Sequence, residues 1–150
     1  MATKNSIPSQ LHNVVQGRVT IVNADASAYK TVLTITGSDS SEEAHIYSII
    51  LTSDDTSNRD LLFAINDGTN DIEQGAILLP ASTGLTVAAP PIQVIANRTS
   101  PVLSRVFKDI RGNYFLVLAS GDTLKVKSLT TVTAAKTIVV AAFGYNFKRS

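Results

Sequence analysis

The chain contains no cysteine and no tryptophan among its 150 residues. Without cysteine it can form neither disulfides nor thiolate-bound metal sites, and a cysteine nucleophile is excluded. Charged residues make up only 17% and the formal net charge is +1, so no strong field attracts nucleic acid or anionic lipid. No segment approaches the roughly 20 apolar residues of a membrane span, and residues 1–13 lack the apolar run of a signal peptide. We therefore expect a soluble protein that binds neither nucleic acid nor membranes.

Familiar catalytic and metal-binding motifs are also absent. No serine lies in a Gly-x-Ser-x-Gly motif, and there is no glycine-rich phosphate loop or His-Glu-x-x-His motif. The two histidines, His12 and His45, are far apart in the sequence, which favours surface histidines over a metal pair. Residues 66–71 lack the alternating acidic ligands and closing glutamate of a calcium loop, and indicate a hairpin turn. We predict no enzymatic activity, no cofactor and no metal site.

Hydrophobic residues, by contrast, make up 44% of the chain and recur with the period of β-strands. The densest pattern lies between residues 111 and 147, where three consecutive strands are predicted. Within it, Thr123–Ser128 alternates strictly, with Leu124 and Val126 on one side and polar residues on the other. Strands recur about every ten to fifteen residues, which is typical of antiparallel sandwiches. We predict an all-β, antiparallel β-sandwich of jelly-roll type, with about eight strands.

At most one short helix is expected, beginning at Ser100-Pro101, because serine is a good N-cap and proline suits the first helical turn. The chain divides into an extended N-terminal arm, residues 1–13, and a β-sandwich domain, residues 14–150. The arm is polar apart from a few apolar side chains, and a frayed terminus is the alternative interpretation. Its candidate interface residues are Ile7, Pro8, Leu11 and His12.

The last predicted strand carries an aromatic stripe. Phe143, Tyr145 and Phe147 are two positions apart, so their side chains share one face of the strand. The simplest interpretation is that they belong to the core. The alternative is that they contact a neighbouring copy in a symmetric oligomer.

Two polar segments are predicted to be loops. Residues 37–43 contain no apolar side chain and are expected to be exposed. Residues 53–60 include the carboxylates Asp54, Asp55 and Asp60, which could bind a cation between loops. The favoured interpretation is that they end strands and accept hydrogen bonds from nearby backbone amides.

Three sequence runs carry a resemblance to a known group of proteins. They are SDDTSNRDLLF (residues 53–63), DIRGNYFLVL (residues 109–118) and SGDTL (residues 120–124). Together they resemble small structural proteins encoded in the head-gene region of tailed bacteriophages, over most of the chain from Val14 onward. The resemblance implies a capsid decoration, or cement, protein: a non-enzymatic β-sandwich virion protein on the outer capsid surface, commonly a homotrimer. Its partner would be the major capsid protein, and it would be made in the host cytoplasm.

Such a protein could use an extended arm to pair with the edge strand of a partner. The main alternative is a receptor- or glycan-binding head module of a phage fibre or tail, which would use the loops at residues 37–43 and 53–60. A third hypothesis, an enzyme of the cupin kind, is the weakest, because that chemistry usually needs several histidines around a metal.

Overall fold

The computed structural model describes residues 13–36, 42–95 and 103–148. They form ten β-strands, with one 3₁₀ turn, Asn23–Asp25, between the first two. The strands are β1 (Val14–Val22), β2 (Lys30–Thr34), β3 (Glu42–Ser53), β4 (Arg59–Asn66), β5 (Asp71–Leu79), β6 (Ile92–Gln93), β7 (Val106–Lys108), β8 (Tyr114–Ala119), β9 (Thr123–Ser128) and β10 (Thr137–Lys148). The described residues contain no α-helix, and the prediction of an all-β chain is confirmed.

Two antiparallel sheets make up the sandwich. The six-stranded sheet has the order β1-β10-β3-β8-β7, with β6 also paired to β3, and the four-stranded sheet has the order β2-β9-β4-β5. The pairing is nested: β1 with β10 and β3 with β8 in the larger sheet, β2 with β9 and β4 with β5 in the smaller one. This nesting is the wrapping of a jelly roll, so the predicted fold class is confirmed.

The described residues form ten strands, whereas the sequence predicted about eight. Eight form the jelly roll, and the other two, β6 and β7, have only two and three residues. Both follow Pro90-Pro91, in a part of the chain with no clear alternation. The prediction of a short helix beginning at Ser100-Pro101 is wrong for the part of that segment that the structure describes, since Val106 begins the strand β7. Residues 96–102 lie outside the described residues.

The core lies between the two sheets and is built from the inward-facing side chains of both. Phe63, Ile46 and Leu116 are among its fully buried members. Burying each such side chain stabilises the fold by roughly 1.5–3 kcal/mol. Strand β9 shows the predicted alternation, since Leu124 and Val126 are fully buried while the lysines between and after them are only half-buried. The alternation therefore fixes which side of β9 faces the other sheet.

A β-bulge separates two registers between β10 and β3 at the centre of the six-stranded sheet. Phe143 pairs with Ser48 and Gly144 with Ile46, so that Tyr47 is the extra residue. Gly144 lies close against β3 at this point. A Cβ there would overlap the carbonyl oxygen of His45 and would lie 2.7 Å from the Cα of Ile46. Only glycine allows this approach of the two backbones.

We expect Gly144→Ala to lower the free energy of unfolding by about 1–3 kcal/mol, because the added methyl group overlaps backbone atoms that cannot rotate away. Chemical denaturation measures the change. The control is Ala76→Val, which adds carbon at an exposed position of β5 and should change stability by less than about 0.5 kcal/mol. A Gly144→Ala chain as stable as the wild type would contradict the close approach.

Candidate binding surface

The outer face of the six-stranded sheet carries the aromatic stripe of β10. Val140 and Ala142 point into the core, so the alternating residues Phe143 and Tyr145 point outward and are 39% and 37% exposed. Phe147, on the same side, is half-buried. The prediction that these three rings belong to the core is therefore wrong.

The prediction failed because both sides of β10 are apolar, so hydrophobicity alone does not determine which side faces the core. The inward side is the one that carries the small residues Ala142 and Gly144 together with Val140. Residues two positions apart share a face, so Ile138 is also buried. The larger aromatic residues are left on the outer side.

Neighbouring strands extend the stripe into a continuous cluster, which we call the aromatic face. Its members are His45, Tyr47, Phe107, Phe115, Phe143, Tyr145 and Phe147. The rings of Phe143 and Tyr145 meet edge to face with centroids 5.4 Å apart. Phe107, at the margin, is 56% exposed. Edge-to-face and offset pairs of this kind contribute roughly 0.5–1.5 kcal/mol each beyond their buried area, so the rings hold one another in place.

His45 is part of this face and is half-buried within it. Its ring lies 4.6 Å from that of Phe115 and 4.3 Å from that of Phe147, measured between centroids. Its Nε2 atom is 2.9 Å from a carboxylate oxygen of Glu43. The position of His45 is therefore fixed by ring packing and by an acidic neighbour. His12 lies outside the described residues.

Two depressions flank the exposed rings. The first has a volume of about 550 Å³ and is lined by the small residues Gly17 and Ala141 next to Phe143, with Arg18 at its side. The second has a volume of about 390 Å³ and lies between Tyr145 and the turn at residues 109–113. The aromatic face is thus a surface of projecting rings and adjoining hollows.

The turn beside the second depression is held by Asp109, whose carboxylate accepts hydrogen bonds from the backbone of Arg111 and Asn113 at 2.8 and 2.9 Å. The hydrogen bond from Asn113 is the main reason that the pKa of Asp109 is below its usual value. Burial, and then the charge of Asp109, raise the pKa of the Tyr47 hydroxyl. At neutral pH the hollow therefore contains a charged carboxylate and a neutral tyrosine.

The outer face of the four-stranded sheet has a different chemistry. Lys125 forms an ion pair with Asp71 at 3.0 Å, and the ammonium group of Lys127 lies 4.4 Å from the ring centroid of Tyr29. The Tyr29 hydroxyl contacts Glu73 at 3.2 Å, and burial together with this carboxylate raises the pKa of Tyr29 to about 12. Charged groups on this face pair with one another at the solvent boundary.

Asp54 and Asp55, in the loop predicted as a possible cation or glycan site, are bonded internally. The Asp55 side chain is fully buried, and its carboxylate lies 2.8 Å from Nε of Arg59 and accepts hydrogen bonds from Thr133. Asp54 accepts a hydrogen bond from the backbone of Thr137 at 2.6 Å. The interpretation that they end strands and bond to backbone amides is confirmed.

Burial by itself would raise the pKa of Asp55, but the hydrogen bonds from Arg59 and Thr133 outweigh it and hold the pKa well below its usual value. The carboxylate is therefore charged throughout the physiological range. It joins the loop after β3 to the segment before β10, two parts of the chain that are far apart in sequence. Sequence patterns could not reveal the contact between Asp55 and Thr133, because neither of these two residues lies in a regular strand.

The turn after β4 has the geometry of an ordinary hairpin. Asn66 accepts a hydrogen bond from the backbone of Gly68, and Asp67 accepts two, from Thr69 and Asn70. The interpretation of this segment as a hairpin turn is confirmed. Among the residues that the structure describes, no group of three or more His, Asp or Glu side chains could hold a metal ion.

The arm residues predicted to form an interface, Ile7, Pro8, Leu11 and His12, lie outside the described residues. The first described residue is Asn13, whose carbonyl accepts a hydrogen bond from the backbone of Asn146 at 2.9 Å. Val14 pairs with Tyr145, so the chain enters β1 beside the aromatic face. Most of the predicted loop at residues 37–43 is also outside the described part, but its last two residues, Glu42 and Glu43, belong to β3.

Comparison with known proteins assigns no family to the chain. No family model, curated protein or solved structure matches it. In the described part of the chain, no helix is long and apolar enough to cross a membrane.

We expect Asp55→Asn to lower the free energy of unfolding by about 3–5 kcal/mol at pH 7, because it leaves Arg59 without its buried charged partner. The folded-state pKa of Asp55 is depressed, so its contribution is complete above about pH 5 and is lost as the pH falls below about 4. The variant should therefore lose less stability than the wild type on acidification. Urea unfolding between pH 7 and pH 3 measures both effects.

Asp60→Asn is the matched control, since Asp60 lies in the same region but is exposed. Its stability should stay within about 0.5 kcal/mol of the wild type. If Asp55→Asn were no less stable than this control, the buried ion pair would not have the structural role described here.

Proposed function

We propose that this chain is a non-enzymatic structural protein of a bacteriophage virion, which binds the outer surface of an icosahedral capsid and stabilises the shell. The observation that carries the proposal is the unequal chemistry of the two outer faces of the sandwich. One face exposes a cluster of aromatic rings, and the other exposes paired charges with the single aliphatic side chain of Leu78 near its edge. A rigid domain with one adhesive side is suited to a protein that works as part of an assembly.

The aromatic face has the composition of a protein interface. Phe107, Phe143 and Tyr145 together leave on the order of 250 Å² of ring surface in water, if each ring has an area near 200 Å². Clustered exposed aromatic groups mark interaction sites, and tyrosine and phenylalanine are enriched at the centres of interfaces. Burying them against another protein would remove this apolar area from water.

The charged face of the four-stranded sheet suits contact with water, on the side of the domain away from the aromatic face. Its ions pair with each other, as Lys125 does with Asp71, so that they need no external partner. The formal net charge of +1 means that many copies can lie close together with little mutual repulsion. Both properties are compatible with a densely repeated coat component.

The arm supplies a second means of attachment. It precedes β1, whose residue Val14 pairs with Tyr145, and it contains Ile7, Pro8 and Leu11, which are apolar groups suited to a seam between coat subunits. The major capsid protein is the partner that the resemblance implies. A homotrimer on the shell stays a prediction of that resemblance. A glycan-binding role for the loop at residues 53–60 stays a prediction without a supporting contact, because Asp54 and Asp55 bond within the protein.

We expect a chain lacking residues 2–12 to bind the shell at least about tenfold more weakly while remaining folded, because the apolar anchors of the arm are lost. Asn13 is kept, since its carbonyl bonds to Asn146. Co-sedimentation with purified shells of the major capsid protein from the same phage measures binding, and thermal unfolding checks the fold.

A double substitution of Ile7→Ser and Leu11→Ser should reproduce the loss. The matched control changes the polar positions instead, with Ser6→Ala and Ser9→Ala, and should bind like the full chain. Unchanged occupancy after the deletion would remove the arm from the proposal. Failure of the full chain to bind any assembled shell would overturn the proposed function itself.

A further inference from the structure

We infer that the aromatic face binds the same face of a second copy of this chain, around a two-fold axis close to Phe143. This inference deepens the proposed function, because it names the partner of the aromatic face, and it rests on that proposal only for its place in a virion. The pair forms in solution and needs no shell. The arm then remains available for the coat.

The first argument is that the surface is complementary to itself. A two-fold contact places the same patch of both copies against each other, so a projecting group must lie beside a hollow that can receive it. Phe143 projects from β10 and is 39% exposed. The hollow of about 550 Å³ directly adjoins it and is lined by the backbone of Gly17 and by Ala141, whose small side chain leaves it open. In the pair, Phe143 of each copy enters the hollow of the other.

The second argument is size. The path β1-β10-β3-β8-β7 of the six-stranded sheet contains 42 residues. Strands lie about 4.8 Å apart and rise about 3.3 Å per residue, so this path presents a face of roughly 670 Å². A stable interface of standard size buries about 800 Å² on each partner. The outer face of this sheet therefore has about the area that a dimer needs.

The third argument is the distribution of charge. In the middle of the face Ser48, Ile50 and Ala141 are uncharged, and the one ionisable side chain that lines the hollow there is that of Arg18, directly across from Ala141. Charged side chains lie to either side, with Arg18 on β1 and the turn containing Asp109 and Arg111 beyond the second hollow. Arg18 borders the hollow and can lie against the ring that enters it, as guanidinium groups do on aromatic faces.

The contact closes at two copies. An isologous interface uses the same patch twice and leaves none free for a third subunit, so this face does not build the trimer that the resemblance implies. The mass in solution therefore separates the two assemblies. One chain has a mass of 15.9 kDa.

The test is sedimentation equilibrium of the full chain without shells, over a range of concentrations. The wild type should have twice the mass of one chain. Phe143→Ser, which removes the projecting ring, should weaken the pairing at least tenfold. Ala141→Phe, which fills the hollow from the other side of the contact, should do the same without removing a ring. Near-ultraviolet circular dichroism and thermal unfolding establish that each variant is folded.

Leu78→Ser is the matched control, because Leu78 is 54% exposed on β5 in the other sheet. It should leave the mass unchanged. A wild-type mass of one or three chains would overturn the inference, and so would a dimer that survives both Phe143→Ser and Ala141→Phe. Shell binding by a wild-type monomer would overturn the pairing and support the proposed function. A dimer that binds no shell would support the pairing and overturn the proposed function.

Discussion

The architecture depends on the close contact between the backbones of β10 and β3 at Gly144. A side chain at this position would overlap the carbonyl oxygen of His45, so only glycine lets the two strands approach this closely. Gly144 lies on the inward side of β10 with Val140 and Ala142, and Phe143 and Tyr145 lie on the outward side. The bulge at Tyr47 accommodates the change of register and turns another ring toward the same face.

The consequence is a sandwich with two unlike sides. Apart from Phe63, the fully buried core residues of both sheets are aliphatic, so the core itself does not use the rings of the aromatic face. On the four-stranded sheet several outward positions carry charges that pair across strands, whereas on the six-stranded sheet they carry rings that pack on one another. A monomer in water gains little from exposed rings, which is why an assembly that covers them is the central element of the functional proposal.

Much of the fold could be predicted from the sequence, because strands such as β9 alternate between apolar and polar residues and turn residues mark their ends. The orientation of β10 could not be predicted, because both of its sides are apolar. The buried pair of Asp55 and Arg59 could not be predicted either, because Thr133, which also donates a hydrogen bond to Asp55, is distant in the sequence.

The absence of cysteine makes the central claim directly measurable, because one introduced thiol is a unique probe. The measurement is the rate of thiol labelling of Gln16→Cys, at an exposed position that borders the first hollow beside Phe143, and of Ala142→Cys, in dilute solution and under conditions of assembly. We expect the thiol at position 16 to react rapidly when dilute and to become protected in the assembly, while the thiol at position 142 reacts slowly in both. A thiol at position 16 that is protected at every dilution, or equally reactive in both conditions, would contradict an outward face that assembly covers.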